Sequence, residues 1–245
     1  MKNRWLFVVC LVLVTVIFSS AFYVLWSNQP NSNADTETLF QLETFNTFSM
    51  GNYDGYMTYK ELAEHGDFGI GTFDKLDGEM IALDGVFYQI PFDGNPKKVD
   101  ASMTAPYATV TFFEADTTET LTGPVNYSDV QPLIQNLMST ENAIYAIKIS
   151  GNYVTATTRS VPAQTKPYPS IEEVVKNQSV FNLNNVSATA VGFWFPNSMD
   201  GVDFAGFHLH LITDDFSAGG HLLEFTLENG TIEIDQTNNF NLVFP

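Results

Sequence analysis

His208-Leu209-His210, followed eleven residues later by His221, gathers three of the chain's four histidines into the segment GFHLHLITDDFSAGGH. Neutral imidazole is the commonest protein ligand for zinc, and catalytic zinc sites characteristically use three protein ligands with one position left open. In a strand the side chains at i and i+2 share a face, so His208 and His210 project together. The run from Asp214 to Gly220 supplies turn residues, and His221 opens a second apolar run, HLLEFTLE, so a hairpin brings it back beside the pair. The alternative is three ordinary polar positions on an exposed strand. Phe204, Phe207, Leu209, Leu211 and Ile212 argue against it, because they describe a buried strand, where an imidazole without a partner is costly.

Two further residues have the chemistry to join such a site. Glu79 falls on a strand face with Ile81 and Leu83, and a carboxylate on an apolar face needs a partner such as a metal or an arginine; the competing reading is a solvated strand end. Arg159 is the only arginine after Arg4. It shares a strand face with Tyr153, Thr155 and Thr157, a polar face suited either to lining a pocket or to meeting water. Asp214 and Asp215 read as turn residues, and His65 as a helix C-terminal residue favoured by the helix dipole.

These residues need a scaffold, and the chain has length for one large or two modest domains. Lys2 and Arg4 precede an apolar stretch from Trp5 to Trp26, so residues 1–27 read as a cleaved signal peptide or an uncleaved membrane anchor, placing the remainder outside the cytoplasm. Residues 28–38 form a polar linker. Cys10 lies in the leader, so the exported part has no disulfides and any metal must sit on histidines and carboxylates. Leaving out Lys2 and Arg4 takes the formal charge from −18 to −20, which excludes a nucleic-acid partner.

Thr58-Tyr59-Lys60-Glu61 carries a capping box and starts a short helix that Gly66 ends. A second helix runs from Ser128 to about Met138, and a third starts at Ser170. Asp84-Gly85 between Met80–Leu83 and Val86–Ile90 predicts a type I′ hairpin. AIYAIKIS and YVTATTRS read as two strands joined at Gly151-Asn152, and consecutive antiparallel strands follow from about Val186. The expectation is an α/β chain, mostly β-sheet with a few short helices. It divides into two sheet units, residues 39–165 and a C-terminal antiparallel unit at 166–245 that carries the histidines.

From about Leu39 to Pro245 the chain also resembles the α-acetolactate decarboxylases. The resemblance is carried by HGDFGIGTFDKLDGEMIALDGVFYQI, by TTRSVPAQ and above all by GFHLHLITDDFSAGGHLLEF. It implies a two-domain α/β architecture, usually a homodimer, and a zinc enzyme that converts 2-acetolactate to acetoin and CO₂. Matched by motif, His208, His210 and His221 become the zinc ligands, Glu79 and Arg159 the active-site glutamate and arginine, and Thr72 a substrate-pocket threonine. The family pattern also includes a tail beyond the segment matching Asn241–Pro245, which brings a second glutamate to the metal.

That chemistry suits the residues. Loss of CO₂ from acetolactate leaves an electron pair that must delocalise onto the adjacent ketone as an enediolate, and zinc is an apt Lewis acid there. Arg159 can donate two hydrogen bonds to a carboxylate or to the enediolate, while Glu79 or a zinc-bound water supplies the proton. Two other readings compete. A cupin-like metal oxygenase would use His-x-His with Asp214 or Asp215, and a surface zinc-binding domain would hold the metal without turnover.

Overall fold

A computed structural model describes residues 35–245. The leader and most of the linker expected at residues 1–38 lie outside the described residues, and among those described no helix is long and apolar enough to cross a membrane.

Alternating apolar runs set the architecture. Seven strands, β1 (Thr38–Leu42), β3 (Phe68–Thr72), β4 (Glu79–Leu83), β5 (Val86–Ile90), β6 (Lys97–Lys98), β8 (Ala108–Thr111) and β14 (Asn239–Val243), form one sheet in the order β14-β1-β8-β3-β4-β5-β6. All its pairings are antiparallel except β1 with β14. The β4–β5 turn has φ of 51° at Asp84 and 76° at Gly85, the double positive φ that a type I′ hairpin requires. A small ribbon pairs β2 (Met57–Thr58) with β7 (Thr104–Ala105).

The second sheet contains β9 (Thr117–Asn126), β10 (Ile144–Ser160), β11 (Ser179–Phe195), β12 (Gly206–Thr213) and β13 (Gly219–Thr237). β10 pairs with both β11 and β13, β11 with β12, and β12 with β13. Four strands therefore close into a ring, and β9 extends it from β13. Helices α1 (Phe45–Ser49), α2 (Tyr59–Leu62), α3 (Tyr127–Leu137) and α4 (Ile171–Val174) are short. The capping box on α2 forms as its sequence predicts, Thr58 accepting from the Glu61 amide while the Glu61 carboxylate accepts from that of Thr58. His65 ends up stacked on Phe40 at 3.9 Å between ring centroids.

The period-2 alternation assigns the two faces of each strand. On β10, Tyr145, Ile147 and Ile149 fill the core of the second sheet with α3, whereas Ile144 and Ala146 meet the first sheet. Phe68 and Ile70 of β3, Ile81 of β4, Phe193 of β11 and Ile212 of β12 complete this layer between the sheets. Glu79 shares its face with Ile81 and His210 with Ile212, so both polar groups are delivered to the margin of that layer.

Two expectations are corrected. Strands do not sort at residue 165: β9 and β10 precede it yet belong to the second sheet, and β14 returns to the first sheet beside β1. The proline-rich stretch after 160 is a fixed connection, its Gln164 amide bonded to the Lys75 carbonyl and Tyr168 Oη to Asp54. Gly151-Asn152 likewise makes no turn. Gly151 pairs with Ala188 on one side and Gly230 on the other, so both ladders hold β10 extended from Ile144 to Ser160.

One buried carboxylate outside the site has a thermodynamic consequence. Asp235 is 3% exposed and accepts a hydrogen bond from the Glu114 amide. Burial raises its pKa to about 7, opposed by that hydrogen bond and reinforced by the negative charges of Asp116, Glu37 and Glu114. A raised carboxylate contributes most stability below its unfolded pKa of about 3.8 and loses that contribution as pH rises through the folded value. Asp235→Asn keeps the acceptor without the charge. It is expected to gain on the wild type by about 1–2 kcal/mol between pH 4.5 and pH 8, after allowance for partial screening. Melting curves at the two pH values check this; a pH-independent difference would refute it.

Candidate metal centre

The site forms where the ring of the second sheet closes. On β12, His208 lies opposite Phe193 and His210 opposite Val191, while His210 also lies opposite His221 of β13. His221 is paired on its other side with Arg159 of β10. Gly220 makes this junction possible: its φ is +136°, and a Cβ there would sit 2.4 Å from the Arg159 carbonyl oxygen. Only glycine lets the backbones approach so closely. The hairpin expected from the sequence thus returns His221 to the pair, with ring centroids 5.0 Å from His208 and 5.3 Å from His210.

One ligand atom from each of the three imidazoles lies within 4.8 Å of the others. The His210 Nδ1 contacts the Met80 carbonyl oxygen at 2.8 Å; a carbonyl only accepts, so Nδ1 carries the proton and Nε2 is left with its lone pair. That Nε2 is buried without a hydrogen-bond partner, as is Nδ1 of His208. Burial lowers the His208 pKa to about 3, and burial likewise holds His210 and His221 well below the usual histidine value, with Arg159 adding to the effect on all three. Three neutral imidazoles whose ligand atoms converge, two of them with an unpartnered nitrogen, are the donor set of a divalent metal, so these residues fit one. The Met80 bond orients the ring of His210, as outer hydrogen bonds do for metal-binding histidines.

Glu79 opens β4, opposite Thr72 at the end of β3. Its Oε2 is 3.6 Å from His210 Nε2 and its Oε1 is 3.5 Å from Arg159 Nη1. Burial raises the Glu79 pKa and the Arg159 charge opposes the rise. The Thr72 hydroxyl donates to the Gly78 carbonyl at 2.6 Å, which fixes the turn leading into Glu79. All six residues singled out in the sequence border one cavity of about 500 Å³. Asp214 and Asp215 do not join them. Asp214 accepts from the Ser187 hydroxyl, and Asp215 from Thr213 and Ser217, which leaves the cupin-like arrangement without its carboxylate.

Sequence reasoning missed the remaining lining. Phe45, Tyr107, Tyr127, Phe204 and Phe207 give the cavity an aromatic side, and Met80 contributes through its carbonyl. Backbone contacts and apolar residues from distant segments leave no local pattern that would mark them.

The family model for alpha-acetolactate decarboxylase matches residues 39–245. The chain belongs to that family. Its relatives include an alpha-acetolactate decarboxylase from Methanosarcina mazei, 45% identical over 214 residues that cover 87% of this chain and 74% of the relative. Another, from Bacillus subtilis, is 39% identical and matched over 84% of this chain and 81% of its own length. The crystal structure of alpha-acetolactate decarboxylase from Bacillus subtilis strain 168 superposes with a TM-score of 0.83 at 38% identity, covering 85% of this chain and 89% of that one. Membership in the alpha-acetolactate decarboxylase family makes this protein a carboxy-lyase, with the mostly β architecture of the solved relatives.

Proposed function

We propose that the protein decarboxylates 2-acetolactate to acetoin and CO₂, with a zinc ion held by His208, His210 and His221. The observation that carries this reading is the convergence of three neutral imidazoles, two of them with a buried nitrogen that has no hydrogen-bond partner, on a cavity that also holds the Arg159–Glu79 pair. When bound, zinc supplies a Lewis acid that withdraws electron density from the substrate's oxygen atoms.

The chain's own groups account for the rest. Among the described residues lining the cavity, Arg159 is the only one with a permanent positive charge. Its fork can donate two hydrogen bonds to the carboxylate that leaves, or to the enediolate oxygen once the C–C bond has broken. Glu79, held in a desolvated pocket that favours its protonated form, is placed to deliver a proton from Oε2 to the carbon that lost CO₂, giving acetoin. Thr72 acts on Glu79 through the Gly78 turn. The aromatic side of the cavity excludes water, so the Arg159 charge and the Glu79 proton donor act at lower dielectric. The leader read from Lys2, Arg4 and the Trp5–Trp26 stretch supports a location outside the cytoplasm, and the family resemblance supports a homodimer.

Turnover of racemic acetolactate by the purified protein, before and after chelation, tests the reading. Acetoin should form above the spontaneous rate, disappear with chelator and return with zinc, with about one zinc per chain by elemental analysis. Zinc-loaded, folded protein that forms no acetoin would reduce it to a binding domain.

A further inference from the structure

Next to the cavity wall lies a buried carboxylate that the proposed reaction does not use. Asp203 is 1% exposed. It immediately precedes Phe204, which lines the cavity and is 47% exposed. Both Asp203 oxygens are engaged: Oδ1 accepts the Phe204 amide at 2.5 Å and Oδ2 accepts the Thr109 hydroxyl of β8 at 3.0 Å. Neighbouring bonds tie the same segment to the first sheet and to α1. Gln41 Nε2 and the Phe45 amide both donate to the Val202 carbonyl, and the Asn46 amide donates to that of Gly201. The Phe204 ring meets Phe45 and His208 edge-on, each at 5.9 Å between centroids.

Two adjacent residues are thus held in unfavourable states. Burial of the Asp203 carboxylate raises its pKa to about 6, against the hydrogen bonds it accepts, and a half-exposed phenylalanine forgoes much of the stabilisation that full burial would give. Both face the site. The polar half of a 2-hydroxy-3-oxo acid is matched by Arg159, Glu79 and the histidines, but its two alkyl groups have no counterpart among those residues. The remaining cavity wall, which includes Phe204, is mostly apolar, with Gln131 and Glu172 as its polar members besides Thr72.

We infer that Asp203 is a positioning residue that clamps the Phe204 backbone, and that Phe204, so held beside His208, is the specificity-determining wall against which the substrate's alkyl groups pack. This inference rests on the proposed reading of the site. It goes further by assigning the substrate's apolar half to a named side chain and by giving that side chain a hydrogen-bonded tether. In an apolar pocket one methylene is discriminated by about 10-fold or more, so the position of one ring has a measurable effect.

The test compares kcat and KM for acetolactate and for a homologue with a longer C2 alkyl group, in the full-length protein and in D203A, D203N, F204A and D203A/F204A. Opening the wall in F204A should raise the preference for the longer homologue by about 10-fold in kcat/KM. D203A should move the preference the same way by at least about 3-fold, mainly through KM, and add nothing in the F204A background. D203N, which keeps an acceptor for the Phe204 amide, should stay within about 2-fold of the wild type. Additive effects of D203A and F204A, or a preference unmoved by D203A, would overturn the inference. Amide exchange at Phe204, measured without metal or substrate, should be faster in D203A than in the wild type and near wild type in D203N. If the wild type turned over no acetolactate, the functional reading would fail while exchange still decided the tether, and unchanged protection in D203A would reject it. If D203A does not fold, T109V removes one of the two donors to the carboxylate and should shift the substrate preference in the same direction; no shift would reject the inference.

Discussion

His208→Ala is expected to lower kcat/KM for acetolactate by about 10³-fold or more and to reduce bound zinc below one per chain. The magnitude follows from losing a Lewis acid that supplies several kcal/mol at the point where charge develops. His208 is the cleanest of the three positions for the experiment. Its Nδ1 has no hydrogen-bond partner, so in the metal-free protein its removal leaves no buried donor or acceptor newly unpaired at that atom. His210→Ala should lose as much activity but also cost the metal-free fold about 1 kcal/mol, because the Met80 carbonyl loses its donor. Metal analysis, turnover and melting of the chelated protein separate the two effects. Full zinc occupancy and wild-type turnover in His208→Ala would remove this histidine from the centre.

Those histidines were legible in the sequence because strand geometry is periodic. His-x-His puts two rings on one face, the Asp214–Gly220 run turns the chain, and the next strand begins with the third ring. Glu79 was legible for the same reason, its face being set by Ile81 two residues on. Arg159 was a candidate by rarity and as one of the partners open to Glu79, but its place beside the histidines was not readable, since the ring closure that sets Arg159 opposite His221 joins residues 62 apart. The boundary expected at 165 failed because prolines suggest a linker, while the strands on either side pair across it. Gly151-Asn152 failed because turn propensity is a local signal, overridden where both edges of a strand are hydrogen-bonded. The aromatic wall and Asp203 were illegible because their neighbours come from β8, α1 and the segment before β12, which only the packing of the two sheets brings together.

Arg159→Lys is expected to cost about 10²-fold in kcat/KM with zinc binding intact, which sets it apart from the ligand substitutions. Lysine preserves the charge but replaces two parallel donors by one point donor. Losing a single preorganised donor to a developing oxyanion is typically worth about 10²–10³-fold. Glu79→Gln should cost about 10²–10⁴-fold, the usual span for removing a general acid. The glutamine keeps the shape of the side chain opposite Thr72 but cannot supply a carboxylic proton. It also leaves Arg159 without the carboxylate 3.5 Å away, so the two substitutions should combine to less than the product of their separate effects. Zinc occupancy, kcat and the double-mutant cycle together assign the roles. Unimpaired turnover in Glu79→Gln would transfer the proton to another group, and unimpaired turnover in Arg159→Lys would mean that the site needs a nearby positive charge but not a fork.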